Sequence, residues 1–315
     1  MERLTRNYGD RRGIIDLTFD VVEGSIFGFL GPNGAGKTTT IRCLMGLIRP
    51  TAGQARVFGL DCWNDSPATR DFIGFLPGEL RLYEHLTGRE TVDFFASFRG
   101  SGSRTRADQL AKRLDLDLSG RVKALSKGNR QKIGLVLALM SEAPLLILDE
   151  PSSGLDPLVH VTFLELLEEE KSRGRTVFLS SHDLTEVERV ADRVGIVREG
   201  RIADLQDVAE LRSRREREVV ASFGSSVDVS RFERIPGVRI SEVGAGGTTV
   251  RLRARGDLRP LLALLAQLDI QDLTVGAPEL ESIFLDYYGG TRGEETVESQ
   301  PGPVEASATG TGRVS

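Results

Sequence analysis

Gly31-Pro32-Asn33-Gly34-Ala35-Gly36-Lys37-Thr38 is the stretch on which the fold turns. It fits the pattern G-x-x-x-x-G-K-[ST]. A short apolar run, residues 25–30, precedes it, and Ile41, Leu44, Met45 and Ile48 after it share one helical face. The spacing has a physical purpose. Glycines let successive backbone N–H groups turn inward around phosphate oxygens, and the following helix points its positive end at them. Lys37 is then placed to reach β- and γ-phosphates, and the Thr38 hydroxyl to sit on Mg²⁺. A chance glycine-rich turn matches such a pattern in about one chain in a hundred. The strand–loop–helix context makes chance a poorer explanation still.

Two further strands deliver reactive residues to the same place. Leu145-Leu146-Ile147-Leu148 carries no charge and ends in Asp149-Glu150, as a buried parallel strand does when it brings acids to the carboxyl edge of a sheet. Residues 176–179 end in Ser180-Ser181-His182. Alone, an acid pair simply ends a strand and a histidine after a strand is structural. Beside a phosphate loop, Asp149 suits the holding of Mg²⁺ or its waters, Glu150 suits a general base, and His182 a γ-phosphate contact. Residues 1–209 therefore read as an α/β unit with a largely buried sheet. Residues 87–125 look helical and more polar, opening with the capping-box spacing of Thr87 and Glu90.

Composition narrows the function classes. The 315 residues are 39% apolar and 28% charged, ordinary for a globular chain, and suit one large domain with a small one. A net charge of -5 argues against nucleic acid as the primary partner. Two cysteines, Cys43 and Cys62, suggest a reduced compartment, not a disulfide framework. No apolar run approaches the roughly 18 residues that cross a bilayer, and the first residues show no secretory h-region. A membrane role would come through a partner.

Beyond Ala209 the character changes. Residues 210–218 are a dense run of alternating charge, expected to be a solvated connector helix (210–217). Residues 218–288 read as a small α+β domain, with a ferredoxin-like fold as the candidate arrangement. Its strands fall near 219–223, 238–243, 248–253 and 273–275, with a hairpin turn at Gly244-Ala245-Gly246-Gly247, a Leu-rich segment at 258–268 and a helix over 278–288. Residues 289–315 have almost nothing to bury and are expected to be disordered. The acids Glu165, Glu168, Glu169 and Glu170 read as a solvated helix face, and Arg212, Arg214, Arg215 and Arg217 as solvated too. His85 and His160 show no metal-ligand spacing.

Leu125-Ser126-Lys127-Gly128-Asn129, followed by Arg130-Gln131-Lys132 and an apolar stretch, is on its chemistry a Ser/Gly turn capping a helix, and so a second potential anion site. Together with the other motifs it resembles the signature of the ATP-binding cassette (ABC) family, a P-loop NTPase fold with a helical subdomain (here about 87–140). The Ser-Lys-Gly-Asn form is similar to that of the daunorubicin-resistance type of drug and antibiotic exporters. The resemblance spans about residues 4–209, and residues 218–288 are similar to the appendage of that subgroup.

What the resemblance implies can be set down residue by residue. Tyr8 matches the aromatic that stacks on adenine. Gly31, Pro32, Asn33, Gly34, Ala35, Gly36, Lys37, Thr38 and Thr39 match the ATP-binding Walker A loop, and Asp149 and Glu150 the Walker B pair. Ser153-Gly154-Leu155-Asp156 matches the loop that communicates across the dimer, and His182 the switch histidine. Two cassettes would close head to tail, so that Ser126, Lys127, Gly128 and Asn129 of one copy meet the ATP held by Lys37 of the other. The partners implied are a second cassette, a homodimer in the simplest case, and separate transmembrane permease subunits at the cytoplasmic face of the cell membrane. ATP and Mg²⁺ are the implied cofactors. Two positions depart from the family. Gly78 stands where a glutamine is usual, so either Glu79 substitutes or that contact is missing. The chain also begins almost at Leu4, where a strand usually precedes, so the first strand is expected to be absent or to lie upstream.

The resulting expectation is an ATP-hydrolysing subunit of an exporter. The alternative is a cassette ATPase acting on ribosomes or DNA, whose relatives typically carry two cassettes or a coiled-coil insertion, neither of which is present in this sequence. A regulatory module that no longer hydrolyses ATP has only Gly78 in its favour.

Overall fold

The computed structural model describes residues 1–276 except 10, 101, 214 and 215. In chain order the elements begin with β1 (Glu2–Tyr8), β2 (Arg11–Leu17), β3 (Ile26–Leu30), α1 (Lys37–Leu44) and β4 (Ala52–Gln54). A two-residue hairpin of β5 (Arg56–Val57) and β6 (Leu60–Asp61), α2 (Ser66–Asp71) and β7 (Ile73–Leu76) follow. Then come α3 (Gly88–Ala96), α4 (Ser103–Arg113) and α5 (Lys127–Leu139). The chain continues through β8 (Leu145–Asp149), α6 (Pro157–Ser172), β9 (Thr176–Ser181), α7 (Leu184–Val190), β10 (Arg193–Arg198), β11 (Arg201–Asp207) and α8 (Val208–Ser213).

The central sheet has the order β11-β10-β3-β9-β8-β7. Its inner strands run parallel and β11 closes one edge antiparallel. Every residue of β3, β8 and β9 is buried, which is why these strands lack polar alternation. Because β3, β8 and β9 are neighbours running the same way, the residues after Leu30, Leu148 and Ser180 arrive at one edge. Phe19, Phe27, Phe29 and Phe178 stack beneath it with centroids 5.1 to 5.7 Å apart.

The first strand is present, against the expectation that it would be missing. β1 pairs antiparallel with both β2 and β4. It is hard to read because the ladder is bulged, Arg3 has φ +48°, and only Leu4 is fully buried. The helical segment begins as its capping box requires. Thr87 Oγ1 accepts from Glu90 N, and Glu90 Oε2 accepts from Thr87 N at 2.8 Å.

The acids of α6 are not one solvated face. Glu165 and Glu168 are exposed, but Glu170 is 1% exposed and ion-paired with Arg106 at 2.5 Å, Arg173 at 2.8 Å and Arg175 at 2.5 Å. Arg113 pairs with Glu169 at 2.6 Å. A buried carboxylate needs such partners, and here they tie α4 to α6.

The charged run after Ala209 is not one connector helix either. α8 stops at Ser213, and β12 (Glu216–Phe223) starts within the run because it pairs with a later strand and buries Val219, Ala221 and Phe223. α9 (Ser230–Glu233), β13 (Val238–Val243), β14 (Thr249–Arg255), α10 (Arg259–Leu265) and β15 (Ile270–Val275) follow. The order is βαββαβ in sequence and β13-β14-β12-β15 in space, all pairs antiparallel, which is the split βαβ arrangement of ferredoxin-like folds. The expected helix over 278–288 and disordered tail over 289–315 lie outside the described residues.

Candidate functional site

The phosphate loop joins β3 to α1. Gly34 has φ +81° and Gly36, the residue that caps α1, has φ +109°. A Cβ on Gly36 would also stand 2.7 Å from Ile14 Cγ2, so both conformation and space require glycine there. Gly31, Ala35 and Lys37 are buried, Thr38 and Thr39 half-buried, and Pro32, Asn33 and Gly34 exposed. The loop is anchored by Gly31 N to Ser181 O at 3.2 Å and by Gly200 N to Ala35 O at 2.9 Å.

Lys37 Nζ donates to Gly31 O at 2.5 Å and pairs with Glu150 Oε1 at 3.0 Å. Glu150 Oε2 lies 2.6 Å from His182 Nδ1. Glu150 has φ +50°, a left-handed conformation that a side chain rarely adopts, held by its N–H on Ser180 at 3.1 Å (Oγ) and 3.2 Å (O). Its Oε1 is buried with no hydrogen-bond donor, so the contact with Lys37 is charge against charge. Asp149 is 1% exposed, and its Oδ1 accepts from Ser180 Oγ at 2.5 Å. A Cβ on Gly78 would stand 3.0 Å from Asp149 Oδ2, so the side-chain-free position leaves room beside this carboxylate.

A cleft of about 410 Å³ is lined by Asn33, Thr38, Gly78, Glu79, Asp149, Glu150, Ser153 and His182, with Arg42 and apolar neighbours. The fold thus gathers residues from the phosphate loop, the acid pair, the histidine and the first residue of the 153–156 loop. It does not gather everything. Tyr8, 38% exposed with the Arg6 guanidinium 4.8 Å over its ring, is outside the lining, as are residues 126–129. Ser126 caps α5, its Oγ accepting from Asn129 N at 3.2 Å. Lys127 Nζ donates to Ser153 Oγ at 3.2 Å, and a Cβ on Gly128 would meet Gly154 O at 2.6 Å. Asp156 caps α6 through Val159 N at 3.0 Å, and that bond holds its carboxyl below the usual range. The 126–129 turn therefore packs on residues 153–154 of its own chain and is not part of the lining of its own Lys37 cleft.

Among the described residues no cluster of three or more His, Cys, Asp or Glu could hold a metal by itself. What the cleft offers a divalent ion beside the phosphate loop is the Thr38 hydroxyl and the buried Asp149 carboxylate, with Glu79, Glu150 and Ser153 also in the lining. That oxygen set suits Mg²⁺, which takes its other ligands from phosphates and water. Reading the sequence missed Ser180, which orients Asp149. The serines ending β9 were visible, but their partner was not.

A phosphate loop on an inner strand, an acid pair on the next-but-one strand and a helical segment whose capped turn packs beside them define an ATP-binding cassette. The ABC transporter family model matches residues 14–153, and the chain belongs to this family of nucleotide-binding cassette ATPases. It is 32% identical to the bacitracin transport ATP-binding protein BcrA of Bacillus licheniformis, over 91% of this chain and 96% of that one. It is 33% identical to the daunorubicin resistance ATP-binding protein DrrA3 of Streptomyces coeruleorubidus, over 91% and 94%. A solved ATP-binding subunit of an ABC transporter superposes with TM-score 0.62 at 32% identity, covering 67% of this chain and 90% of that one. A dimeric cassette bound to ADP and Pi has the same fold at TM-score 0.60 and 23% identity, covering 66% and 97%.

Proposed function

We propose that this chain powers an exporter of drug or antibiotic type, working as a homodimer bound to separate transmembrane subunits at the cytoplasmic face of the membrane. The observation that carries the reading is the convergence of Thr38, Asp149, Glu150 and His182 on one cleft beside Lys37. Relatives named for bacitracin transport and daunorubicin resistance, similar over nine-tenths of the chain, support the exporter class. No helix among the described residues is long and apolar enough to cross a membrane, so the passage would belong to other subunits.

In this reading Lys37 and the loop N–H groups bind the ATP phosphates. Thr38 and Asp149 hold Mg²⁺, which neutralises phosphate charge. Glu150 Oε2 takes a proton from the attacking water, and His182 fixes that carboxylate and meets the γ-phosphate. Residues 126–129 do not line their own cleft, and in this reading they serve the cleft of a second copy. The membrane subunit docks on the exposed aromatic group of Tyr83, Phe94 and Phe98, which are 50%, 42% and 71% exposed with rings 5.2 to 5.7 Å apart.

The test is to tag the Glu150→Gln variant, trap it with ATP and Mg²⁺ in native membranes, and identify what co-purifies. Recovery of a polytopic membrane protein is expected. Recovery of ribosomal proteins or nucleic acid alone overturns the transport reading and leaves the ATP chemistry.

A further inference from the structure

Glu186, in the first turn of α7, is 2% exposed and lies outside the nucleotide cleft. Its Oε2 accepts from Ser181 Oγ at 2.6 Å and from Ser152 Oγ at 3.1 Å. Ser181 is the residue before His182, and Ser152 stands two residues after Glu150. Its Oε1 has no hydrogen-bond partner and lies 3.6 Å from His160 Nε2, itself buried and unpartnered. His160 sits in the first turn of α6, directly after residues 153–156. One buried carboxylate therefore bonds Ser152, just before the 153–156 loop, and Ser181 at the tip of the histidine strand, and lies near His160 just after that loop. Ser181 Oγ also accepts from Asp183 N at 3.0 Å, so the turn that carries His182 closes on the same hydroxyl.

We propose that Glu186 is the positioning residue through which the 153–156 loop and His182 move as one body, so that displacement of the loop by a partner cassette resets His182 against Glu150. A buried carboxylate with one oxygen unsatisfied is costly unless its position does something. Both serines bond one oxygen, so neither can shift without dragging the carboxylate or losing its bond. The His160 gap, a few tenths of an ångström beyond a hydrogen bond, leaves slack that movement of α6 can take up. Glu186 is not among the residues that line the cleft, and its effect on hydrolysis passes through His182.

The inference rests on the roles proposed for Glu150 and His182, and the experiment separates the two. Steady-state ATP hydrolysis is measured on the full chain for wild type, His182→Ala, Glu186→Ala, Glu186→Gln, Ser152→Ala and Ser181→Ala. A misplacement of an ångström costs up to about a hundredfold in rate, so Glu186→Ala should lower kcat by at least about tenfold while KM for ATP stays within about twofold. Glu186→Gln, whose amide oxygen still accepts from both serines, should recover most of that loss. The two serine variants remove little volume, and each should lower kcat with KM held. Combined with Glu186→Ala, they should lower it no further. If His182→Ala leaves kcat unchanged, the reading of the site fails and this inference with it. If His182→Ala is slow but Glu186→Ala and the serine variants turn over as wild type, the site stands and the inference is wrong. Loss of activity in Glu186→Ala that only follows its loss of folded protein, with both serine variants normal, would assign Glu186 to stability alone.

Discussion

Lys37 Nζ stands 3.0 Å from Glu150 Oε1, so the ammonium of the phosphate loop and the carboxylate that follows Asp149 are each other's counter-ion. The same carboxylate reaches His182 Nδ1 at 2.6 Å. A phosphate that takes Lys37 competes with Glu150 for one positive charge. Phosphate at Lys37 and the contacts of Glu150 are thus linked through one ion pair.

Replacing Glu150 with glutamine tests that link. The amide cannot take a proton from water, so turnover should fall by about 10²- to 10⁴-fold. Lys37 simultaneously loses its competitor, so ATP should bind at least as tightly as to wild type. Single-turnover hydrolysis and fluorescent-nucleotide titration read the two effects separately. An unchanged rate would remove Glu150 from the chemistry, and weakened binding would show that the ion pair supports the loop and does not compete with phosphate.

Glu170 offers a stability test. Its carboxylate is enclosed by Arg106, Arg173 and Arg175, and removing it strands guanidinium groups, one of which, Arg175, is only 10% exposed. Glu170→Ala should cost about 3–5 kcal/mol of unfolding free energy, the usual penalty for breaking a buried pair from one side. Glu168→Ala, on the exposed side of the same helix, should stay within about 0.5 kcal/mol of wild type. Urea denaturation of both variants decides it, and equal effects would mean that the arginine cluster is not what holds Glu170.

These two acids also mark how far the sequence can be read. Apolar runs that end in chemistry announced β3, β8 and β9, because a strand buried on both faces has no polar residues to confuse its reading. The phosphate loop, the acid pair and His182 were legible for the same reason. Glu170 was not, since its partners are Arg106 of α4 and Arg173 and Arg175 in the turn between α6 and β9, and nothing in Glu168-Glu169-Glu170 says which acid turns inward. β1 was hidden by its bulges, and the start of β12 by a charge run whose strand pairing is set by β14 some 30 residues on. For Arg106 on Glu170 and for β14 on β12 the deciding contact is long-range.

Burial pushes the Glu186 carboxyl above the usual glutamate range. The folded chain therefore holds this proton to higher pH than the unfolded chain does. Stability that is present below the unfolded value is lost as pH rises through the window up to the folded value. Glu186→Gln, which cannot ionise, escapes that loss. Its melting temperature relative to wild type should rise from pH 4 to pH 7, with little difference at the acid end. A gap that stays constant with pH would mean that the serine bonds fully compensate the buried charge.

The 126–129 turn lies outside the lining of its own cleft and against Gly154. A Cβ on Gly128 would stand 2.6 Å from Gly154 O, backbone against backbone, with no flexible side chain to yield. Gly128→Ala must therefore part the 126–129 turn from the 153–156 loop, breaking the Lys127–Ser153 bond of 3.2 Å. Within α5 alanine is the better helix former by up to about 1 kcal/mol, so the fold itself should survive. Lys37 and Thr38 are untouched, so one chain should still bind ATP. What should fail is ATP-dependent pairing, because Ser126 and Ser153 no longer present one surface to a second copy. In a Glu150→Gln background, where ATP is held without turnover, size-exclusion chromatography should show a dimer that Gly128→Ala reduces to monomer. A dimer that forms equally well with alanine would place the pairing surface elsewhere on the chain.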